Sequence, residues 1–321
     1  MKKRFFALLV VIFVFAAVFA APGVSAAAEK KRVAILIADM TATYAAWLAQ
    51  SFQELTPNYS ELDVTILDCK NNMSEAIANL ENAVTQKYDM VLVQPVDADA
   101  LASQLDITID AGIPVCVVNL PRGEVTRASN VDADPIEQGA VPAKVAKELI
   151  PQNGKVVVLH GPSGNAHSIG RRVGFKDVLF DARPDIEILD EQIANWFKDE
   201  GMRLMEDWLQ RYPQIDAVIS MNDAMALGAI EAAKAVGRDK QITYYGVDGL
   251  ADAVLSIADG DLTATCVQNA YAQAAAGMAI AKRVLNGEIE QEVIIVPGEL
   301  ITKDNTEKWI KIHTDNGQIK P

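Results

Sequence analysis

Residues 217–230 read AVISMNDAMALGAI: an apolar, partly β-branched run stops at Asn222 and Asp223 and resumes as an alanine-rich helical pattern. A strand that ends in polar residues and turns at once into a helix is the repeating unit of a parallel sheet. In that frame Asn222 sits at the carboxyl end of a strand, where ligands collect in α/β sheets, and Asp223 reads as the cap of the helix that follows, with the alternative that it faces the cleft.

The same unit recurs along the chain. Short apolar runs occupy 32–38, 63–68, 90–95, 114–119, 155–160, 187–192, 217–222, 243–248, 264–268 and 292–297, most of them separated by 15 to 25 residues with apolar spacing near 3.6. Apolar strands alternating with helices give an α/β protein whose parallel sheets are covered on both faces. The runs form two series, one before about Ser129 and one from about Asp134. Between them lies RGEVTRASNVDADP (122–135), whose polarity reads as a crossing segment and not as a core strand. Returns near Gln268–Asn269 and Pro297–Gly298 make three crossings. The expected organisation is two Rossmann-like domains, 27–130 with 269–297 and 131–268 with 298–321, joined by a three-segment hinge.

The first residues set the compartment. MKKR is basic, FFALLVVIFVFAAVFA is an apolar run of 16 residues, and Val24-x-Ala26 supplies a cleavage pattern. The run falls short of the roughly 20 residues that span a bilayer, so residues 1–26 read as a signal peptide. Cleavage leaves 295 residues, enough for two cores, and takes the formal charge from −14 to −17. Nucleic acid and anionic membrane surfaces are poor partners for such a chain. Cys69, Cys116 and Cys266 read as small buried strand residues, with a disulfide among them left open.

Read in order, the strand ends carry Asp39, Thr41, Tyr44, Gln94, Asn119, the loop GPSGN (161–165), Asn195-Trp196, Asn222-Asp223, Asp248 and Gln268. Amides and carboxylates with aromatic faces and few cations suit a polyhydroxylated ligand, because adjacent hydroxyls donate and accept at once. Trp196 stands in a post-strand loop, whereas Trp47, Trp208 and Trp309 lie in helical or C-terminal patterns and read as packing residues.

Enzyme signatures are weak. Asn165 stands where Gly-x-Ser-x-Gly requires its last glycine. His160, His167 and His313 are too scattered for a metal site, and no phosphate-binding glycine loop occurs. Asp97/Asp99 and Asp132/Asp134 read as helix caps. No catalytic residue, metal or cofactor is expected.

RVAILIADMTATYAAWLAQSFQ (32–53), MVLVQPVDADAL (90–101), GIPVCVVN (112–119), GFKDVL (174–179), VISMNDAMALGAI (218–230), YYGVDG (244–249) and LTATCVQ (262–268) resemble, in order and spacing, the ribose-binding branch of the periplasmic sugar-binding proteins. The resemblance covers nearly all of the mature chain except the last 15 or so residues. It implies the type I periplasmic-binding-protein fold, in which two lobes grip a sugar and hand it to an ABC-type permease, with the protein a monomer in the periplasm. Repressors share this core, but here an export signal stands in place of DNA-binding helices. By the same resemblance, Asn222, Asp248 and Gln268 fall on residues that bond sugar hydroxyls. Trp196 falls where a ring covers a sugar face, Tyr44 aligns with an aromatic of the first loop, and Asn119 takes a place usually held by Asp.

Two departures matter. Leu120 and Ile169 stand where the family carries arginines, Arg171 and Arg172 read as part of the following helix, and Arg122 or His167 is left to compensate. A cleft without those cations suits a neutral sugar, linear polyol or cyclitol. Tyr44, Asn119, Trp196, Asn222, Asp248 and Gln268 are the expected ligand residues, with Asp39, Thr41, Gln94, His167 and Ile169 as further candidates. Two alternatives stay open: an exported carbohydrate-processing enzyme, and a ligand-loaded partner of a chemoreceptor.

Overall fold

The structure, a computed structural model, describes residues 29–320, so the expected signal peptide lies outside the described residues. Its strands are β1 (Lys31–Ile37), β2 (Leu62–Asp68), β3 (Met90–Val93), β4 (Val115–Val118), β5 (Ser129–Asp132), β6 (Lys155–His160), β7 (Glu187–Ile193), β8 (Ala217–Ser220), β9 (Thr243–Asp248), β10 (Ala264–Val267), β11 (Val293–Ile295) and β12 (Glu299–Ile301). The helices are α1 (Thr43–Leu55), α2 (Met73–Thr85), α3 (Ala98–Asp110), α4 (Pro135–Leu149), α5 (Ala166–Phe175), α6 (Lys198–Arg211), α7 (Asp223–Ala235), α8 (Ala251–Asp259), α9 (Ala270–Leu285) and α10 (Thr306–Asp315).

The strands form two six-stranded sheets, ordered β11-β5-β4-β3-β1-β2 and β12-β10-β9-β8-β6-β7. Every pairing is parallel except that of β10 with β12. The expected α/β class with two parallel sheets is what the chain forms. In each sheet the chain runs outward once and then returns across its first strand, which places a switch point between β1 and β3 in one and between β6 and β8 in the other. Ligands bind outside the carboxyl ends of strands at such points.

Two-sided burial explains the unbroken apolar strands. In β1, Val33, Ile35 and Ile37 pack with Leu48 and Phe52 of α1 and Met278 of α9, while Ala34 and Leu36 pack with Leu80 of α2 and Leu101 and Leu105 of α3. Side chains alternate across the sheet, so both alternating sets must be apolar when helices cover both faces. The helices begin where the sequence supplies caps: the side chains of Asn72, Asp97, Asp134, Asn165, Asn222 and Asn269 each accept a backbone N–H of the first turn.

Each of the ten apolar runs carries a strand, and two further strands, β5 and β12, went unread. RGEVTRASNVDADP is not merely a crossing: its residues Ser129–Asp132 form β5, buried throughout between β4 and β11. The polar side chains survive burial because each is bonded. Asn130 Nδ2 donates to the carbonyls of Val117 and Leu120, and Ser129 Oγ accepts from the Glu292 N–H. The first sheet therefore reaches Asp132, and a boundary drawn after residue 130 falls inside a strand. Asp132 itself caps nothing; it ends β5. The chain passes between the sheets three times, from β5 to α4, from β10 to α9 and from β11 to β12. The three cysteines are buried and free.

Candidate ligand-binding site

A cavity of about 900 Å³ lies between the two sheets. Its walls are the loops after β1 to β4 on one side, those after β6 to β9 on the other, and Gln268 in the second crossing. Tyr44, Asn119, Trp196, Asn222, Asp248 and Gln268 all line it, as do Asp39, Gln94 and His167.

The wall formed by the second sheet is organised around a buried ion pair. Asp248, 2 % exposed, ends β9 with φ 123° and stands 3.1 Å from Arg171 Nη2. Burial pushes its carboxyl up to about 7, against the opposing attraction of Arg171. Arg171 spends its other donors on the Met221 carbonyl (2.6 Å), Gln138 Oε1 (3.0 Å) and Gln268 Oε1.

Arg171 overturns an expectation. Ile169, placed by alignment at an arginine position of the cleft, is 55 % exposed and absent from the lining, whereas Arg171 points in. The helix explains both. Asn165 caps α5, which puts His167 and Arg171, four residues apart, on one inward face and turns Ile169 outward. Arg122 does not compensate either; it donates to the carbonyls of Thr126 and Ala128. Thr41 bonds Asp39 Oδ1 and lines a smaller depression of about 360 Å³ beside Trp196 and Phe197, outside the main cavity.

The polar pair of 217–230 divides its labour differently from the sequence reading. Asn222, not Asp223, caps α7: its Oδ1 accepts from the Met225 N–H at 2.9 Å, and its Nδ2 donates to the Trp196 carbonyl at 3.1 Å. Asp223 is fully buried behind the site and accepts from the N–H groups of Gly249 and Leu250 and from Thr265 Oγ1 at 2.6 Å. It thereby pins the loop that carries Asp248. Burial raises its carboxyl to about 6. Gly246 makes room for it, since a Cβ there would stand 2.1 Å from Asp223 Oδ1.

Trp196 lies flat against the loop after β6, where a Cβ on Gly161 would come within 2.2 Å of the indole. The Arg171 guanidinium sits 5.5 Å from its ring centroid, within cation–π range. Asn71, Asn119, Asn195, Trp196 and Asp248 line the cavity and all hold positive φ. Left-handed backbone at non-glycine residues costs about 1–3 kcal/mol each and gathers at binding sites.

On the wall formed by the first sheet, Gln94 Nε2 donates to Asn119 Oδ1 at 2.8 Å, and Gln94 Oε1 accepts from the Ala38 N–H at 3.3 Å. The Tyr44 hydroxyl is buried beside the Gln268 side chain without a hydrogen bond of good geometry, and Asn119 Nδ2 is buried without a protein partner. His167 Nε2 lies 3.0 Å from Asp132 Oδ1 and so spans the first crossing. Sequence reasoning missed Arg171, Gln138 and the buried role of Asp223; the spacing of Arg171 from His167 was the one available signal. No cluster of three or more His, Cys, Asp or Glu among the described residues could hold a metal.

Two parallel sheets joined by three crossings, with a deep polar cavity at their facing switch points, define a two-lobed binding protein. The chain belongs to the periplasmic binding protein domain family, whose model matches residues 20–289, within its ribose-binding-like type I branch. It is 30 % identical over 288 residues to a xylitol-binding protein of Mycolicibacterium smegmatis, covering 89 % of this chain and 81 % of that one. A ribose import binding protein of Bacillus subtilis is 29 % identical over 75 % of this chain and 78 % of its own length. An ABC-transporter solute-binding protein of Bacillus halodurans with bound myo-inositol superposes with a TM-score of 0.84 at 28 % identity, covering 88 % of this chain and 98 % of that one.

Proposed function

We propose that this chain is an extracytoplasmic solute-binding protein that closes around a neutral sugar, polyol or cyclitol and delivers it to an ABC-type importer. One observation carries the reading: a single buried arginine, Arg171, pairs at 3.1 Å with the one buried carboxylate of the lining, Asp248, on a wall that also presents Asn222, Gln268 and Trp196, while the other lining carboxylates, Asp39, Asp97, Asp99 and Glu200, are more exposed. With Asp248 ionised, as hydroxyls donating to it favour, the pair cancels, so a charged ligand meets no net counter-charge in the buried part of the site. Hydroxyl groups instead find a carboxylate to accept from them and amides to donate to them. Relatives named for binding xylitol and importing ribose, and a neighbour that holds myo-inositol, support a ligand of that polyhydroxylated kind. The ligand residues in this reading are Tyr44, Asn119, Trp196, Asn222, Asp248 and Gln268, supported at the rim by Asp39. The lobes, divided at the three crossings, are the moving parts. The mature protein acts as a monomer in the periplasm after signal-peptide cleavage, and its ligand leaves chemically unchanged.

A thermal-shift panel of xylitol, D-ribose and myo-inositol tests the reading. Ligand at a hundred times its Kd adds about 2.7 kcal/mol to stability, a shift of several degrees. No shift with any neutral polyhydroxylated compound overturns it, and so does appearance of a product during incubation.

A further inference from the structure

We propose that Gln138 is a positioning residue which, with Gln94, fixes the hydrogen-bond polarity of the cavity, so that Gln268 and Asn119, like Asn222, offer N–H groups and leave acceptance to Asp248. The inference rests on the binding-protein reading for its ligand consequence, but the relay itself is a property of the free protein.

Each relay starts at a donor that cannot reverse. Arg171 has no acceptor, so the end of Gln138 that its Nε meets at 3.0 Å is the oxygen. Gln138 must then present Nε2 to Gln268, and it donates to Gln268 Oε1 at 3.1 Å, where Arg171 Nη2 also donates. With its oxygen held twice, Gln268 turns Nε2 to the cavity, on the side of the Tyr44 hydroxyl. On the opposite wall the start is a backbone amide: Ala38 N–H fixes Gln94 Oε1, Gln94 Nε2 fixes Asn119 Oδ1, and Asn119 Nδ2 is left without a protein partner. Asn222 follows the same logic in one step, its oxygen fixed by the Met225 N–H. Flipping any of these amides would set N–H against N–H inside a buried network, where an unmatched donor has no water to turn to.

Gln138 does this without lining the cavity. It is fully buried on α4 just past the first crossing, bonds Gln268 in the second, and lies beside Gly298 in the third. Gly139 lets α4 approach closely enough, because a Cβ there would stand 2.0 Å from the Arg171 carbonyl. Ligand oxygens that face Asn119, Asn222 and Gln268 therefore act as acceptors, and those that face Asp248 act as donors.

The test has two arms. In ligand-free protein labelled with nitrogen-15, the Gln138 side-chain amide protons exchange with solvent at least about tenfold more slowly than those of Gln268, as expected for a bonded pair against one open to the cavity. Equal exchange rates overturn the relay. In the second arm, Gln138→Glu keeps an acceptor for Arg171 but has no donor for Gln268, and Gln138→Met keeps neither. Both raise the Kd of whichever probe stabilises the wild type, among xylitol, D-ribose and myo-inositol, by about tenfold or more, although neither removes a ligand contact. Folded variants with unchanged Kd overturn the proposal. If no probe binds the wild type, the functional reading fails while the exchange measurement still decides the relay, as it does if a variant fails to fold.

Discussion

The two walls of the cavity solve the same problem in opposite ways. On the second-sheet wall, Arg171 is bonded to Asp248 and to the Met221 carbonyl, and Asn222 to the Trp196 carbonyl, before any ligand arrives. On the first-sheet wall, the Tyr44 hydroxyl and Asn119 Nδ2 are buried and unmatched. A buried group without a partner costs free energy until something satisfies it. The second wall is thus completed by folding, whereas the first is completed by binding. Substitutions on the second wall should damage stability and affinity together, and those on the first should separate them.

Asp248→Ala has the largest expected effect. It removes the carboxylate proposed to accept from ligand hydroxyls and also strands Arg171, 3 % exposed, without its counter-ion. Breaking a buried pair by removing one partner costs about 3–5 kcal/mol. Chemical denaturation of the free protein should register that loss, and calorimetry with a ligand from the panel should detect no binding. An unaltered denaturation midpoint would mean that the second wall is not held by this pair, and the contrast between the walls would fall.

The bonded polar groups behind the two walls are also where the sequence was hardest to read. Strands buried on both faces announce themselves as apolar runs, and the strand ends could then be read in order to find Asn119, Trp196, Asn222, Asp248 and Gln268. What escaped was polar and buried. β5 hid because Ser129, Asn130 and Asp132 spend their side chains on neighbouring backbone and on His167, which makes a core strand look like a linker. Arg171 hid because alignment pointed to Ile169, although its spacing from His167 put it on the same helix face. Asp223 hid because an acidic residue opening a helix usually caps it, and only the register of β8 to β10 shows the buried Thr265 and loop N–H groups it serves instead. Gln138 carried no signal at all; its partner is 130 residues away.

A pH profile of the free protein sharpens the comparison with a smaller effect. Asp248 and Asp223, raised by burial to about 7 and about 6, titrate in the unfolded chain near 4. The folded state then binds their protons more tightly than the unfolded state, so these groups make stability fall as pH rises from about 4 to about 7, with no further loss above. Glu191, held down to about 2 by His160 and Arg172, works in the other direction but below that window. Urea unfolding at pH 5 and pH 8 without ligand should show the protein more stable at pH 5. Hydroxyls donating to Asp248 favour its ionised form, so affinity should rise over the same interval. A stability that climbed between pH 5 and pH 8 would place the dominant titration elsewhere.

The smallest expected change in stability, and the cleanest separation, belongs to Tyr44→Phe on the first wall. The hydroxyl that is lost makes no protein hydrogen bond of good geometry, so its removal leaves nothing unmatched and the free protein should stay within about 0.5 kcal/mol of wild type or gain slightly. The ligand, in contrast, loses one hydrogen bond, which is worth about tenfold in Kd when its own hydroxyl is then buried alone. Denaturation and titration on the same preparation check both halves. If affinity is untouched, Tyr44 closes over the cavity without reaching the ligand. If stability drops by more than about 1 kcal/mol, the hydroxyl is satisfied in the free protein and the first wall is as complete as the second.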